Sequence, residues 1–523
     1  MRNYLALLIS LVFLTACGGG AGGGSGSTSP TGSTIPVGIV SGTSFDGLII
    51  NGTVSVYDFT TGAKGALLGQ TTSDGNGLYS LSLQVESRPV LFEITGGYYV
   101  EEAGAVGSST QVALNSNEKL MALANYTTGS SLKVAVTTYT NLAAGLAAYQ
   151  ISKGTAVSTA INNSNTRASS LTGVNILTTT PKEITDVSNA SATLTPELKY
   201  GFLAGAISMW TFNNTPAAAV AHLPPYTSID FAQLLYQDIS ADGLLDGIGI
   251  DSTGATAPLS FGTTPLGVDV YRKGLGVSLV QMAVHPNNKT ALGASQVLAF
   301  AQNYAANTDA MFNNIAPIPI AAPVVTITSH ASNAWVSRTA NVAATIQDLI
   351  GIASTELIVD NASVATSTSN NATQSFQLDT TKYSDGAHSI GVRTIDLAGQ
   401  TTTTTIPIGV DNVAPTSTGV LPTMQWPFVP RTYTVQGCAS GGGSGILSIT
   451  FLSEGIVVTP DPQTGCWNMP NVIFPAANGI YQFIIKNRAN SCSVYNGYPG
   501  AANMSVPWYT APVWSLLSSG PCQ

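Results

Sequence analysis

Residues 376–400, FQLDTTKYSDGAHSIGVRTIDLAGQ, read as a strand, a turn and a second strand. Apolar residues alternate with polar ones on either side of the turn, the period of half-buried strands. ASTELIVDNASVATS (353–367) is a second strand–turn–strand unit. APIPIAAPVVTITS (316–329) runs from a proline-punctuated linker into another strand. Residues 316–412 therefore form one β unit. Strands are also expected at 446–452 and 480–486, among Trp426, Trp467, Tyr481, Trp508 and Trp514.

The pair Val359-Asp360, the run LDTTKYSDGAHSI and the closing DLAGQ resemble a bacterial immunoglobulin-like domain over residues 323–412. VDNVAPT (410–416) is similar to the junctions between such domains. The resemblance implies a β-sandwich, and residues 413–523 read as a further sandwich, stapled by disulfides. Toward the N-terminus, GLIINGTVSVYDF (47–59) alternates at period two and carries the hairpin signal Asn51-Gly52. Asp74, Asn76, Gly77, Tyr79 and Leu81 form a D-x-N-G-x-Y-x-L pattern that resembles the carboxypeptidase regulatory-like, or transthyretin-like, β-sandwich. That family is an accessory module, so residues 35–114 inherit no catalytic residue from it.

Residues 115–315 change character. LAAGLAAYQ follows Thr140-Asn141, and TPELKYGFLAGAISMW (195–210) opens with Thr195 as cap, Pro196 at the first helical position and Glu197 in the first turn. Leu198, Phe202, Ala206 and Trp210 then recur on one face. Further helices are expected at 228–239, 264–285 and 290–312, separated by long polar loops. The stretch resembles helical segments that follow such β modules in large bacterial surface lipoproteins. The expected fold is multidomain and mixed: carboxypeptidase regulatory-like and Ig-like β-sandwich modules flank a mainly α-helical domain.

Arg2 followed by an apolar core from Tyr4 to Phe13 reads as a signal segment over residues 1–16. Its core of about ten residues is too short to span a membrane. Leu14-Thr15-Ala16-Cys17 resembles the lipobox of bacterial lipoproteins, which makes Cys17 the acylated N-terminus of the mature chain. Gly18 after the cysteine implies, within that family, export to the outer membrane. Residues 17–34 are then the lipidated cysteine and a Gly/Ser tether, with too few apolar groups to offset the entropy of ordering. A flexible chain of that length spans about 20–25 Å.

The 523 residues carry only 9% charged side chains, against about 25% in typical soluble domains, so uncharged hydroxyls and amides must supply most of the polar surface. Net charge is −9, and the 18 basic residues are spread thinly, which argues against nucleic acid as a partner. Beyond Cys17 the cysteines are Cys438, Cys466, Cys492 and Cys522. Four in one exported segment point to two disulfides. More than one connectivity is open; pairing Cys438 with Cys466 and Cys492 with Cys522 is favoured, and each would close a loop of about 30 residues. No histidine lies in this segment and no close cysteine pair occurs, so zinc is disfavoured.

The histidines are His222, His285, His330 and His388, too far apart in sequence for a metal signature. His388 with Asp385 and Ser389 invites a triad reading, but neighbours on a strand face opposite ways, and a structural role is expected. GGGSG (441–445) fails the nucleophile-elbow pattern and reads as a flexible turn. In QDISADGLLDGIGID (237–251), Asp238, Asp242, Asp246 and Asp251 are hard oxygen ligands of the kind calcium takes. Their spacing departs from the EF-hand loop, and a helix end followed by Asp-Gly turns uses the same residues. No cofactor other than calcium is indicated.

Two functions from different classes follow. One is a lipid-anchored surface protein of the bacterial outer membrane, non-enzymatic, that binds an unidentified protein or glycan, or serves as an envelope scaffold. The other is an exported hydrolase with catalysis in residues 115–315, which would need a deep cleft of convergent acids or histidine.

Overall fold

The computed structural model describes residues 35–104, 110–215, 227–250, 253–417, 432–452, 455–473, 481–498 and 513–522. Cys17, the signal segment, the tether, His222, Asp251, Trp426 and Trp508 lie outside them.

The first β unit contains β1 (Gly38–Phe45), β2 (Thr53–Asp58), β3 (Leu67–Thr72), β4 (Leu78–Leu83), β5 (Arg88–Thr95), β6 (Tyr98–Tyr99), β7 (Val112–Ala113), β8 (Lys119–Tyr126) and β9 (Leu132–Thr137). Its sheets run β4-β1-β9 and β3-β2-β5-β8 and enclose Val40, Val54, Val56, Phe92, Ile94 and Val134. The Asp74 motif makes the β3–β4 turn. Asp74 Oδ1 accepts the Asn76 and Leu78 amides, and Gly77, at φ +67°, passes so close to the Ser44 carbonyl that a Cβ would strike it. Tyr79 then crosses the core and donates its hydroxyl to the Val134 carbonyl at 2.6 Å.

The expected boundary at residue 114 is corrected by β8 and β9. β8 pairs antiparallel with β5, and β9 runs parallel to β1, so the unit ends at Thr137. KLMALANY in β8 hides its membership because both faces are covered, which removes the alternation. One face joins the sandwich core; on the other, Met121 and Leu123 meet Ala144, Ala147, Ala160 and Ile161 of the helices.

The helices are α1 (Thr138–Ser152), α2 (Val157–Thr172), α3 (Pro196–Asn214), α4 (Ser228–Asp242), α5 (Leu275–Val284) and α6 (Ala294–Ala305). α1 starts where β9 stops, with Thr137 and Thr140 in a reciprocal capping box. Thr195 caps α3 as its sequence predicts, and Leu198, Phe202, Ala206 and Trp210 are all buried. The stretch 264–285 is not one helix: β10 (Ile248–Ile250) pairs with β11 (Thr256–Pro258), β12 (Ser260–Phe261) with β13 (Thr264–Pro265), and a π-turn at Val270–Gly274 leads into α5. Phe231 anchors this core, with ring centroids of Trp210 and Tyr271 at 4.9 and 6.1 Å.

The next unit has β14 (Val324–Ile327), β15 (Ala334–Val336), β16 (Thr339–Gln347), β17 (Ile352–Val359), β18 (Ala362–Ser367), β19 (Thr373–Asp379), β20 (Gly386–Asp396) and β21 (Thr401–Val410). β14-β16-β19 packs on β15-β21-β20-β17-β18 around Val342, Leu357, Phe376, Ile390, Val392 and Ile408. The 353–367 unit is a hairpin, its turn residues Asp360 and Asn361 both at positive φ. The 376–400 unit is different. Its strands lie in opposite sheets, β19 beside β16 and β20 between β17 and β21, so its turn crosses the sandwich.

The last unit comprises β22 (Thr416–Ser417), β23 (Thr432–Ser440), β24 (Ile446–Phe451), β25 (Ile456–Val458), β26 (Cys466–Ile473), β27 (Tyr481–Asn487), β28 (Ser491–Tyr498) and β29 (Val513–Pro521). Its sheets run β22-β23-β26 and β25-β24-β27-β28-β29. Disulfides join Cys438 to Cys466 and Cys492 to Cys522. Each staples neighbouring strands of one sheet: β23 with β26, and β28 with the end of β29.

The joints between units are buried. The Arg272 guanidinium donates to the carbonyls of Asn307, Ile315 and Ala316, and Gln302 to that of Ile320, so the proline-punctuated segment is pinned to the helices. Ile350 and Ala398, from two loops of the 324–410 sandwich, enter the helical core. At the next joint Asp411 Oδ2 accepts Ser444 N at 2.9 Å, the Ser444 hydroxyl and Asn487 Nδ2. A Cβ on Gly442 would collide with that carboxylate. The 441–445 stretch is thus a fixed knot rather than a flexible turn, because its glycines let the backbone close on Asp411.

Candidate functional site

Three of the four aspartates singled out for calcium, Asp238, Asp242 and Asp246, accept backbone amides, and Asp251 lies outside the described residues. Asp238 is fully buried; its oxygens accept the Gly247 amide at 2.9 Å and the Ile248 amide at 3.2 Å. Burial pushes its carboxyl up to about 7. Asp242 Oδ1 takes the Leu244 amide and Asp246 Oδ1 the Ile248 amide, the local turn bonds that aspartate favours. Among the described residues no group of three metal-ligating side chains is placed to hold an ion.

His388 does not form a triad. Its Nδ1 lies 2.6 Å from Asp360 Oδ2 and its Nε2 2.7 Å from the Ser384 carbonyl. Ser389 donates to Asp360, and Asp385 is engaged by the Asn412 amide. The group ties strand β20 to the β17–β18 turn. Two depressions offer no paired acids either. One of about 540 Å³ beside β1 and β4 has Asp74, whose Oδ1 is already bonded. One of about 210 Å³ has Glu93, paired with both Lys64 and Lys119.

The outer face of sheet β14-β16-β19 is an exposed polar surface. Because the strands alternate, Val342, Ile346, Phe376 and Leu378 turn inward, and their neighbours are exposed except the half-buried Ala343. Thr326, Thr345 and Thr373 line up across the three strands. Asn341 sits opposite Gln377, and its Oδ1 accepts from the Ser375 hydroxyl at 2.5 Å and Gln377 Nε2 at 3.3 Å. Apart from Asp379 at one end the face is uncharged, and Ser375 and Gln377 are tied to Asn341 across the strands. Among the described residues of β14, β16 and β19, no aromatic lies on the outer face. Trp335 packs over Gly409, and Trp210 and Trp467 are in cores. Sequence reasoning named this module without naming the face, which the β16–β19 register alone creates.

Sequence reasoning also missed Asp46, Glu101 and Glu102, which meet at the joint between the first sandwich and the helices. They are single acids, and only burial gives them significance.

Comparison with known proteins places the third unit. Residues 323–392 match the Bacterial Ig domain family. No curated protein matches the chain. Solved structures with local similarity include the fibronectin(III)-like modules of Clostridium thermocellum CbhA, at 15% identity over 36% of this chain and 91% of that one, TM-score 0.23. Another is the Bacteroides ovatus mixed-linkage glucan utilization locus protein SGBP-B in complex with a mixed-linkage heptasaccharide, at 14% identity over 32% and 43%, TM-score 0.14. A chimeric titin Z1Z2 matches at 13% identity over 32% and 91%, TM-score 0.17. Residues 323–392 of this multidomain chain of β-sheets and helices are thus similar to a bacterial Ig domain.

Proposed function

We propose that this is a lipid-anchored surface protein of the bacterial outer membrane that binds or scaffolds without catalysis. Cys17 is its membrane attachment, the first sandwich is a carboxypeptidase regulatory-like accessory module, and the Ig-like sandwich carries the binding face. The observation that supports this best is the uncharged hydroxyl and amide face around Asn341, Ser375 and Gln377 on a module of the bacterial Ig family. Such a face can hydrogen-bond a neutral glycan or a polar protein surface, but lacks the concentrated positive charge that nucleic acid needs. The hydrolase alternative draws no catalytic pair from Asp238, Asp242 and Asp246, whose oxygens hold backbone amides.

The test compares full-length protein, a form lacking residues 317–523, and an Asn341→Ala/Gln377→Ala variant for retention on insoluble cell-wall glycan and on whole bacterial envelopes. The deletion should abolish retention and the double variant should reduce it, with membrane attachment unchanged in both. Equal retention of all three forms would reject the binding role of this half.

A further inference from the structure

Three acids converge where the first sandwich joins the helices. Asp46, in the β1–β2 turn, is 1% exposed, and Glu102, after β6, is 2% exposed. Glu101 Oε1 is well served: the Ser228 amide and hydroxyl at the start of α4, and the Tyr99 hydroxyl, each donate to it at 2.9 Å. Asp46 Oδ1 accepts from the Thr138 hydroxyl at the start of α1, at 3.1 Å. Asp46 Oδ2, Glu101 Oε2 and both oxygens of Glu102 are buried without a hydrogen-bond partner.

The charge around them does not help. The titratable groups that face the cluster are Tyr99 from β6, Tyr139 from α1 and Glu183 from the segment before α3, all neutral or acidic. Among the described residues no lysine, arginine or histidine pairs with any of the three acids. Nor are their carboxyls placed to share one metal ion. A buried carboxylate with neither donor nor counter-charge is strongly disfavoured. Glu102 has no donor and Asp46 only the Thr138 hydroxyl, and with cations and a metal geometry absent among the described residues, a proton is the remaining way to neutralise these two carboxyls.

We infer that Asp46, Glu101 and Glu102 form a proton-operated latch between the first sandwich and the helices. With protons on Asp46 and Glu102, these acids sit beside Glu101 as neutral groups and the joint stays closed. When the protons leave, three carboxylates repel one another, and residues 99–104 and the start of α4 open to water. Burial, with Glu101 nearby, pushes Asp46 up to about 7, and burial drives Glu102 well above the carboxylate range. A carboxyl raised in the folded state stabilises fully below its unfolded value of 3.8, and that contribution is lost as pH rises through about 7.

The test is amide hydrogen exchange on the full-length protein between about pH 5 and pH 8, corrected for intrinsic exchange, with β16 and β19 as internal reference. Protection of residues 99–104 and 228–232 should fall by about tenfold or more over that range while the reference strands hold. Asp46→Asn and Glu102→Gln should flatten the response. If Asp46→Asn disturbs the contact with Thr138, Glu102→Gln decides alone, since its oxygens have no partner to lose. Protection independent of pH in the unaltered protein, or an undiminished response in Glu102→Gln, overturns the latch. Recovery of protection at pH 8 on adding calcium also overturns it, by making the cluster a cation site.

Discussion

His388 faces two acceptors at once, the Asp360 carboxylate and the Ser384 carbonyl. A neutral imidazole has one N–H and can satisfy only one of them; the imidazolium satisfies both. The hydrogen bond to Asp360 leads the effects that raise the His388 pKa above its ordinary 6.5. The stabilisation is therefore complete below that unfolded value and is lost as pH rises through the raised folded one. The Ig-like module should melt at a lower temperature at about pH 8 than at about pH 6. His388→Gln should remove most of that difference, as followed by calorimetry. Asp46 titrates with the same sign for a different reason: His388 gains a partner on folding, whereas Asp46 loses water.

At the scale of elements, the staples act inside sheets. The bridges Cys438–Cys466 and Cys492–Cys522 are separated by 28 and 30 residues, and each should be worth about 3.5 kcal/mol through loop closure. Reduction, or Cys438→Ser with Cys466→Ser, should lower the melting transition of the last unit, and with it that of the Ig-like module joined to it at Asp411. Elements also show what could be read in advance. α3 was legible because Thr195, Pro196 and Glu197 are local signals, and they sit within one turn of the helix start. α2 was not: VSTAINNSNTRASSLT buries only a narrow, mostly small-residue stripe, among them Ala160, Ile161, Ala168 and Leu171. β9 escaped because its partner β1 lies about 90 residues away, a pairing that no local pattern encodes. The polar face and the acid cluster escaped for the same reason, since register and burial create them.

For the whole molecule the joints matter most. The proline-punctuated run at 316–329 reads as a linker and 410–416 as a junction, but Arg272 clamps the first connection and Asp411 the second. Asp411→Ala would leave the Ser444 amide and Asn487 buried with fewer partners, at about 1–3 kcal/mol for each lost bond. The Ig-like and last units should then unfold in separate calorimetric transitions instead of together. A single shared transition in the variant would mean that the Asp411 knot does not couple them. Fixed joints present the Asn341–Gln377 face at a set orientation, where strung modules would present it at many.

The parallel pairing of β1 with β9 also determines how the first sandwich answers tension. The chain enters β1 at Gly38 and leaves β9 at Thr137, and the strands are paired from Val40↔Leu132 to Phe45↔Thr137. Because they point the same way, entry and exit lie at opposite ends of the pair. A pull between the N-terminal side and the helices therefore slides one strand along the other and loads every rung together. Antiparallel end strands would instead place both pulling points at one end and part rung by rung. The sandwich closest to the N-terminus is thus built to hold under drag, and would yield only when the whole ladder fails at once.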